Sequence, residues 1–106
     1  MTTPSRFTEI GPTTGVRAGQ VRGYVVDGVD IVVANVDGEL RAFANRCPHQ
    51  GGRLNRAQLD GGVLICPWHQ WRFDALTGRA CWPEGYERLV VYPLTVDDGK
   101  ILVAVE

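Results

Sequence analysis

Two short segments of the chain pair a cysteine with a histidine at close spacing. The first, Cys-Pro-His, occupies residues 47–49, and the second, Cys-Pro-Trp-His, occupies residues 66–69, with sixteen residues between them. The chain has only two histidines, and both fall in these segments. Thiolate sulfur and imidazole nitrogen are common ligands of zinc and iron. The spacing therefore predicts a metal site whose ligands are Cys47, His49, Cys66 and His69.

The distribution of ligands over the two segments bears on which metal is bound. Zinc fingers usually take two cysteines from one motif and two histidines from another, whereas here each segment supplies one thiol and one imidazole. This mixed arrangement suits a two-iron cluster in which one iron takes both thiolates and the other takes both imidazoles. A single tetrahedral zinc ion remains the alternative.

The two motifs and their spacer resemble those of the Rieske 2Fe-2S protein family, and the resemblance covers nearly the whole chain. Flanking segments also match: Asn-Arg at 45–46, Gln-Trp-Arg-Phe-Asp at 70–74, Thr-Gly at 77–78 and Tyr-Pro at 92–93. The resemblance implies one Rieske-type 2Fe-2S cluster with Cys47, His49, Cys66 and His69 as its ligands. It also implies an all-β Rieske fold, in which an antiparallel β-sandwich base carries a smaller cluster-binding subdomain.

The segments outside the motifs predict antiparallel β-hairpins. Asp-Gly pairs at 27–28 and 37–38 separate apolar, β-branched runs, and Asp-Asp-Gly at 97–99 stands between the runs 89–96 and 101–105. Glycine supplies the positive φ that tight hairpin turns require. No segment has the three-to-four residue apolar spacing of a helix. These patterns independently predict an all-β scaffold.

Residues 46–86 form an insert of different composition between the two β blocks. This stretch holds all three cysteines, both histidines and all three tryptophans. It has one strand-like core, residues 63–65, and a second short candidate at 71–73. Loops carried on a rigid sheet are where binding sites are usually built. We expect residues 1–106 to form a single domain with its cluster-binding part at about 46–86.

Composition excludes several classes of function. The chain has 106 residues, of which 44% are apolar, and a net charge of −1, so bulk charge does not recruit nucleic acid. No apolar run approaches the length of a membrane span, and the first residues lack a signal-peptide apolar stretch. We therefore expect a cytoplasmic monomer. No dinucleotide-binding fingerprint is present, and two histidines are too few for a separate mononuclear iron site as well.

The resemblance implies an electron carrier rather than an enzyme. A Rieske ferredoxin takes single electrons from an NAD(P)H-dependent flavin reductase and passes them to a terminal oxygenase, here one of the ring-hydroxylating type used in aromatic hydrocarbon catabolism. Two alternatives stay open at this stage. One is a small Rieske-like subunit of an assimilatory nitrite reductase, and the other is a zinc-stabilised binding module.

Other residues near the motifs suggest secondary roles. We expect Trp71 to pack behind the cluster loop, Trp68 to contribute to partner contact, and Cys81 to be a free thiol rather than a ligand. Residues 41–72 contain five arginines and a single acidic residue. Such a basic segment could steer the cluster end toward an acidic surface on a partner.

The residues flanking the ligands predict a low reduction potential. Respiratory relatives carry a disulfide and two hydroxyl donors beside the cluster, and the matching positions here are Gly52, Trp68, Trp71 and Phe73. Hydrogen bonds to sulfur stabilise the reduced cluster, so their loss lowers the potential. We expect a midpoint of roughly −150 mV by redox titration, and a value above about +100 mV would contradict this reasoning.

Overall fold

Antiparallel β-strands make up most of the fold. The computed structural model describes residues 7–47, 53–67, 71–82 and 84–105. Within these ranges a short 3-10 turn, Thr13–Gly15, is the one helical element. The strands are β1 Thr8–Pro12, β2 Val21–Val26, β3 Val29–Val36, β4 Glu39–Ala44, β5 Gln58–Asp60, β6 Val63–Ile65, β7 Arg72–Asp74, β8 Arg79–Trp82, β9 Glu84–Arg88, β10 Val91–Tyr92, β11 Leu94–Asp97 and β12 Lys100–Val103.

The strands form three sheets. The base sheet has the order β1-β12-β11, the central sheet β10-β4-β3-β2, and the loop sheet β5-β6-β7-β8-β9. Every strand pair whose register the structure gives is antiparallel. The expected all-β antiparallel fold is therefore confirmed, and the insert forms a sheet of its own. In the described part of the chain, no helix is long and apolar enough to cross a membrane.

The three predicted hairpin turns are confirmed at the level of backbone angles. Asp27 and Gly28 have φ of 50° and 79°, Asp37 and Gly38 have 52° and 94°, and Asp98 and Gly99 have 52° and 73°. Positive φ at both central residues is the condition of the type I′ turn, whose twist matches that of the flanking strands. Aspartate tolerates this region better than most residues with a side chain. These turns set the registers of β2 with β3, β3 with β4, and β11 with β12.

Strand β3 buries both of its faces. Ile31 and Val33 pack into one apolar core with Ile101 and Val103 of the base sheet. Val32 and Ala34 alternate with them along the chain and pack into a second core, which contains Cys47 and Cys66. A strand covered on both sides is expected to be an uninterrupted apolar run, as residues 31–34 are. The central sheet therefore separates a base core from a core that contains the two thiols.

The insert has more β structure than the sequence suggests. Its five short strands, β5 to β9, include β5, β8 and β9, which were not predicted, and the candidate at 71–73 begins one residue later, at Arg72. These strands are too short and too polar to show an apolar alternation, and they depend on ladder hydrogen bonds with their neighbours. Strand β1 was not predicted either, because it is a short edge strand that contains Gly11 and Pro12.

The apolar run 89–96 is not one strand. It divides at Pro93 into β10, which pairs with β4, and β11, which pairs with β12 in the base sheet. Proline has no N–H to donate to a ladder, so it favours an interruption. The Pro93 carbonyl instead accepts a hydrogen bond from the Ala104 N–H at 3.1 Å. The chain thereby passes from the central sheet to the base sheet.

Gly78 joins the loop sheet to the segment that leads into β10. Its N–H donates to the Asp74 carbonyl, and its carbonyl accepts from the Leu89 N–H, both at 2.7 Å. Its φ is +81°, and an added Cβ would lie 2.9 Å from Val91 Cγ2 and 3.2 Å from the Leu89 carbonyl oxygen. A side chain here would meet both an unfavourable φ and a packed wall.

We expect Gly78→Ala to lower the free energy of unfolding by about 2–4 kcal/mol, since a positive-φ penalty adds to overpacking. Gly99→Ala is the matched control because Gly99 has a φ of +73° but nothing within 4 Å of its Cβ position. That variant should lose only about 1–2 kcal/mol. Urea unfolding followed by circular dichroism measures both, and equal losses would contradict the packing argument.

Candidate metal centre

Cys47 and Cys66 are buried in the same apolar core. Their exposed fractions are 2% and 1%, and neither takes part in a disulfide bond. The core around them includes Phe43, Leu64 and Phe73. Two thiols shielded from water by an apolar shell are suitable sulfur ligands for iron, because that shell controls solvent access to the metal. This donor set fits the sulfur half of the predicted site.

The two thiols come from different sheets. Cys47 lies three residues after the end of β4 in the central sheet, and Cys66 directly follows β6 in the loop sheet. Packing of these two sheets on one core places both cysteines in the same buried cluster. The site is therefore formed by tertiary packing, although its residues occupy two local motifs.

Asn45 closes the first of the two loops. Its side-chain Oδ1 accepts hydrogen bonds from the N–H of Leu54 at 2.6 Å and of Asn55 at 3.0 Å. Its own N–H donates to the Asp30 carbonyl of β3 at 3.0 Å. Among the residues whose burial is described, Asn45 is the one buried polar side chain. The Asn45 side chain, which lies before Cys47 in the sequence, thus binds the backbone that follows the first loop.

The second loop is closed by the backbone. The N–H of Cys66 donates to the Trp71 carbonyl at 2.8 Å, next to the Ile65–Arg72 pair of the β6–β7 ladder. The Trp71 ring stacks on Phe73 with centroids 6.3 Å apart, and it packs against the core that holds the thiols. Trp71 therefore has the packing role expected for it.

The structure brings together two of the four predicted ligands. His49 and His69 lie outside the described residues, as do Gly52 and Trp68. Cys81 is exposed, is not in a disulfide, and is not a member of the buried cluster. The sequence predicted no role for Asn45, although Asn45 and Arg46 match the family pattern and Asn45 stands two positions before a predicted ligand.

A concave surface lies between Pro67, next to Cys66, and the segment 53–56. Its volume is about 640 Å³, and its described lining consists of Arg53, Asn55, Arg56 and Pro67. The first three residues follow the Cys47 loop, whereas Pro67 follows Cys66. Residues that follow each of the two motifs therefore line one open notch, which carries two guanidinium groups.

We expect Asn45→Ala to destabilise the protein by about 2–3 kcal/mol and to speed the removal of iron by a chelator, because two loop N–H groups lose their acceptor. Asn35→Ala is the control, since Asn35 likewise bonds two backbone groups, Gly38 N–H and the Val16 carbonyl, away from the thiol core. Urea unfolding and the decay of visible absorbance measure the two effects. Equal iron-removal rates in both variants would contradict a loop-closing role.

Comparison with known proteins agrees with this site. The family model of the Rieske [2Fe-2S] domain matches residues 6–93. The ferredoxin component of a naphthalene 1,2-dioxygenase system from Pseudomonas aeruginosa is 33% identical over 85 residues, which cover 80% of this chain and 82% of the relative.

Solved structures show the same fold. The ferredoxin of carbazole 1,9a-dioxygenase from Nocardioides aromaticivorans IC177 superposes with a TM-score of 0.87 at 25% identity, over 96% of this chain and all of that one. A chain of the complex of reduced oxygenase and oxidized ferredoxin in carbazole 1,9a-dioxygenase gives a TM-score of 0.83 at 25% identity, over 92% of both chains. The motifs, the buried thiols and these matches lead to one conclusion: the chain belongs to the Rieske [2Fe-2S] domain family.

Proposed function

We propose that the protein is an electron carrier, the Rieske ferredoxin component of a multicomponent oxygenase system, and not itself an enzyme. The observation that carries the proposal is the near-complete coverage of ferredoxin components by this chain, 82% of one relative and 100% of another. The core around Cys47 and Cys66 supplies the two buried sulfur atoms that a cluster-binding carrier requires.

We propose that Cys47 and Cys66 bind one iron of a single 2Fe-2S cluster and that His49 and His69 bind the other. The burial of both thiols in one core supports the sulfur half of this assignment. The histidine half rests on their positions two and three residues after those thiols. When bound, the cluster supplies reversible one-electron oxidation and reduction.

The chain's own residues fix the ends of the two loops and keep water away from the thiols. Phe43 and Phe73 are fully buried beside the thiols and exclude water from the sulfur side. Asn45 and the Cys66 N–H fix the two loops at their bases.

The partners follow from the systems in which the relatives work. We propose an NAD(P)H-dependent flavin reductase as donor and a terminal ring-hydroxylating oxygenase as acceptor, in the breakdown of an aromatic compound. The naphthalene and carbazole dioxygenase systems of the relatives support the acceptor class. NAD(P)H is a cytoplasmic reductant, so we place the protein there, as a monomer whose single domain spans residues 1–106.

We expect Cys47→Ser and Cys66→Ser each to abolish the visible absorption and the reduced-state EPR signal of the cluster, because each removes a thiolate ligand. Cys81→Ser is the matched control and should keep both, since Cys81 is exposed and lies outside the thiol core. Iron and acid-labile sulfide analysis completes the test. A colourless wild-type protein holding one zinc ion would overturn the proposal.

Turnover tests the biological role. Product formation by a reductase and a ring-hydroxylating oxygenase should depend on adding the wild-type protein and should stop with Cys66→Ser. Copurification with a large sirohaem subunit, without support of any oxygenase, would favour the nitrite reductase alternative.

A further inference from the structure

Three exposed arginines flank the first of the two motifs in the sequence. These residues are Arg46, Arg53 and Arg56. Arg46 directly precedes Cys47, while Arg53 and Arg56 line the notch opposite Pro67. A guanidinium group is fully charged at neutral pH and binds carboxylates through its planar set of N–H donors. The surface beside the metal site is therefore positively charged.

This charge is only partly neutralised by the protein itself. Arg53 faces Asp30 at 3.6 Å, with both side chains about half exposed or more. In the described part of the chain, Arg46 and Arg56 form no ion pair, whereas Arg41 pairs with Glu39 and Lys100 with Glu9. Within the described residues, Arg56 in the notch and Arg46 beside Cys47 are therefore not neutralised by an acidic side chain, and Arg53 is neutralised only by a partly exposed pair.

The notch is also shaped to receive a projection. About 640 Å³ of open space accommodates several side chains, and its described lining holds no acidic residue. Asn55 contributes a side-chain amide to the notch. Its backbone N–H donates to Asn45 Oδ1, so this wall of the notch is bonded to the residue two positions before Cys47. Arg53 is oriented by its pair with Asp30, which reduces the ordering needed when a ligand binds.

We propose that this notch is the docking site for an acidic projection, a segment bearing aspartate or glutamate side chains, on the surface of the redox partners. The inference rests on the proposed carrier function. A partner must come close to the cluster for an electron to pass, and the notch is lined by Pro67, next to Cys66, and by Arg53 and Arg56, which follow the Cys47 motif. Carriers form small, short-lived interfaces, in which opposite charge raises the rate of encounter more than the lifetime of the complex.

Small charged oxidants test the sign of the local potential without any partner protein. The dithionite-reduced protein gives one electron to hexacyanoferrate(III), an anion, or to hexaammineruthenium(III), a cation, and each is reduced to its divalent form. We expect the rate with the anion to fall as salt is added and the rate with the cation to rise. The overall charge of −1 would give the opposite trend, so the experiment reports the local surface.

The variant Arg53→Gln/Arg56→Gln should slow the reaction with hexacyanoferrate(III) about threefold or more at low salt and leave the midpoint potential and visible spectrum unchanged. Arg17→Gln is the matched control, because Arg17 is also exposed and its neighbour Val16 packs in the base core. That variant should keep the wild-type rate. Identical rates for the double variant and the control, or the same salt trend for both oxidants, would overturn the proposal.

Reconstituted turnover tests the partner itself. The double variant should raise the ferredoxin concentration needed for half-maximal product formation and keep the maximal rate, with the difference disappearing at high salt. An unchanged half-maximal concentration would contradict docking at the notch. If no reductase and oxygenase pair responds to the wild-type protein, the carrier function fails, while the oxidant kinetics still decide the charge of the surface.

Discussion

Burial of both faces of strand β3 is the constraint on which the rest of the structure depends. Ile31 and Val33 point into the base core, and Val32 and Ala34 point into the core that holds the thiols. The loop sheet is made of short strands, which have little independent stability. Its packing against the central sheet gives Cys47 and Cys66 a common buried environment.

The sequence predicted those elements whose structure depends on residues that are close together in the chain. The three hairpins came from Asp-Gly turns, and the all-apolar run at 31–34 is what a doubly buried strand requires. The type of site was also predictable, because a thiol and an imidazole at close spacing, twice in one chain, are typical of metal ligands. The strands of the insert could not be predicted, since their pairing arises from neighbours and not from their own two or three apolar residues.

Two features of the site also lay beyond sequence reasoning. The side chain of Asn45 acts on residues nine and ten positions away, so its role depends on the path of the loop between them. The notch requires Pro67 to stand opposite Arg53 and Arg56, a relation between two loops that is created only by packing. The excess of arginine in residues 41–72 was visible in the sequence, whereas the position of Arg53 and Arg56 at the notch was not.

The separation of the two cores has a consequence for how the protein matures. The base core contains no cysteine and joins β3 and β4 to the sheet formed by the chain ends, so its packing does not require metal. The base core can therefore pack without the cluster, whereas the other core contains the two cysteines that we propose as ligands. Insertion of iron and sulfide would then take place on a protein whose base is already packed.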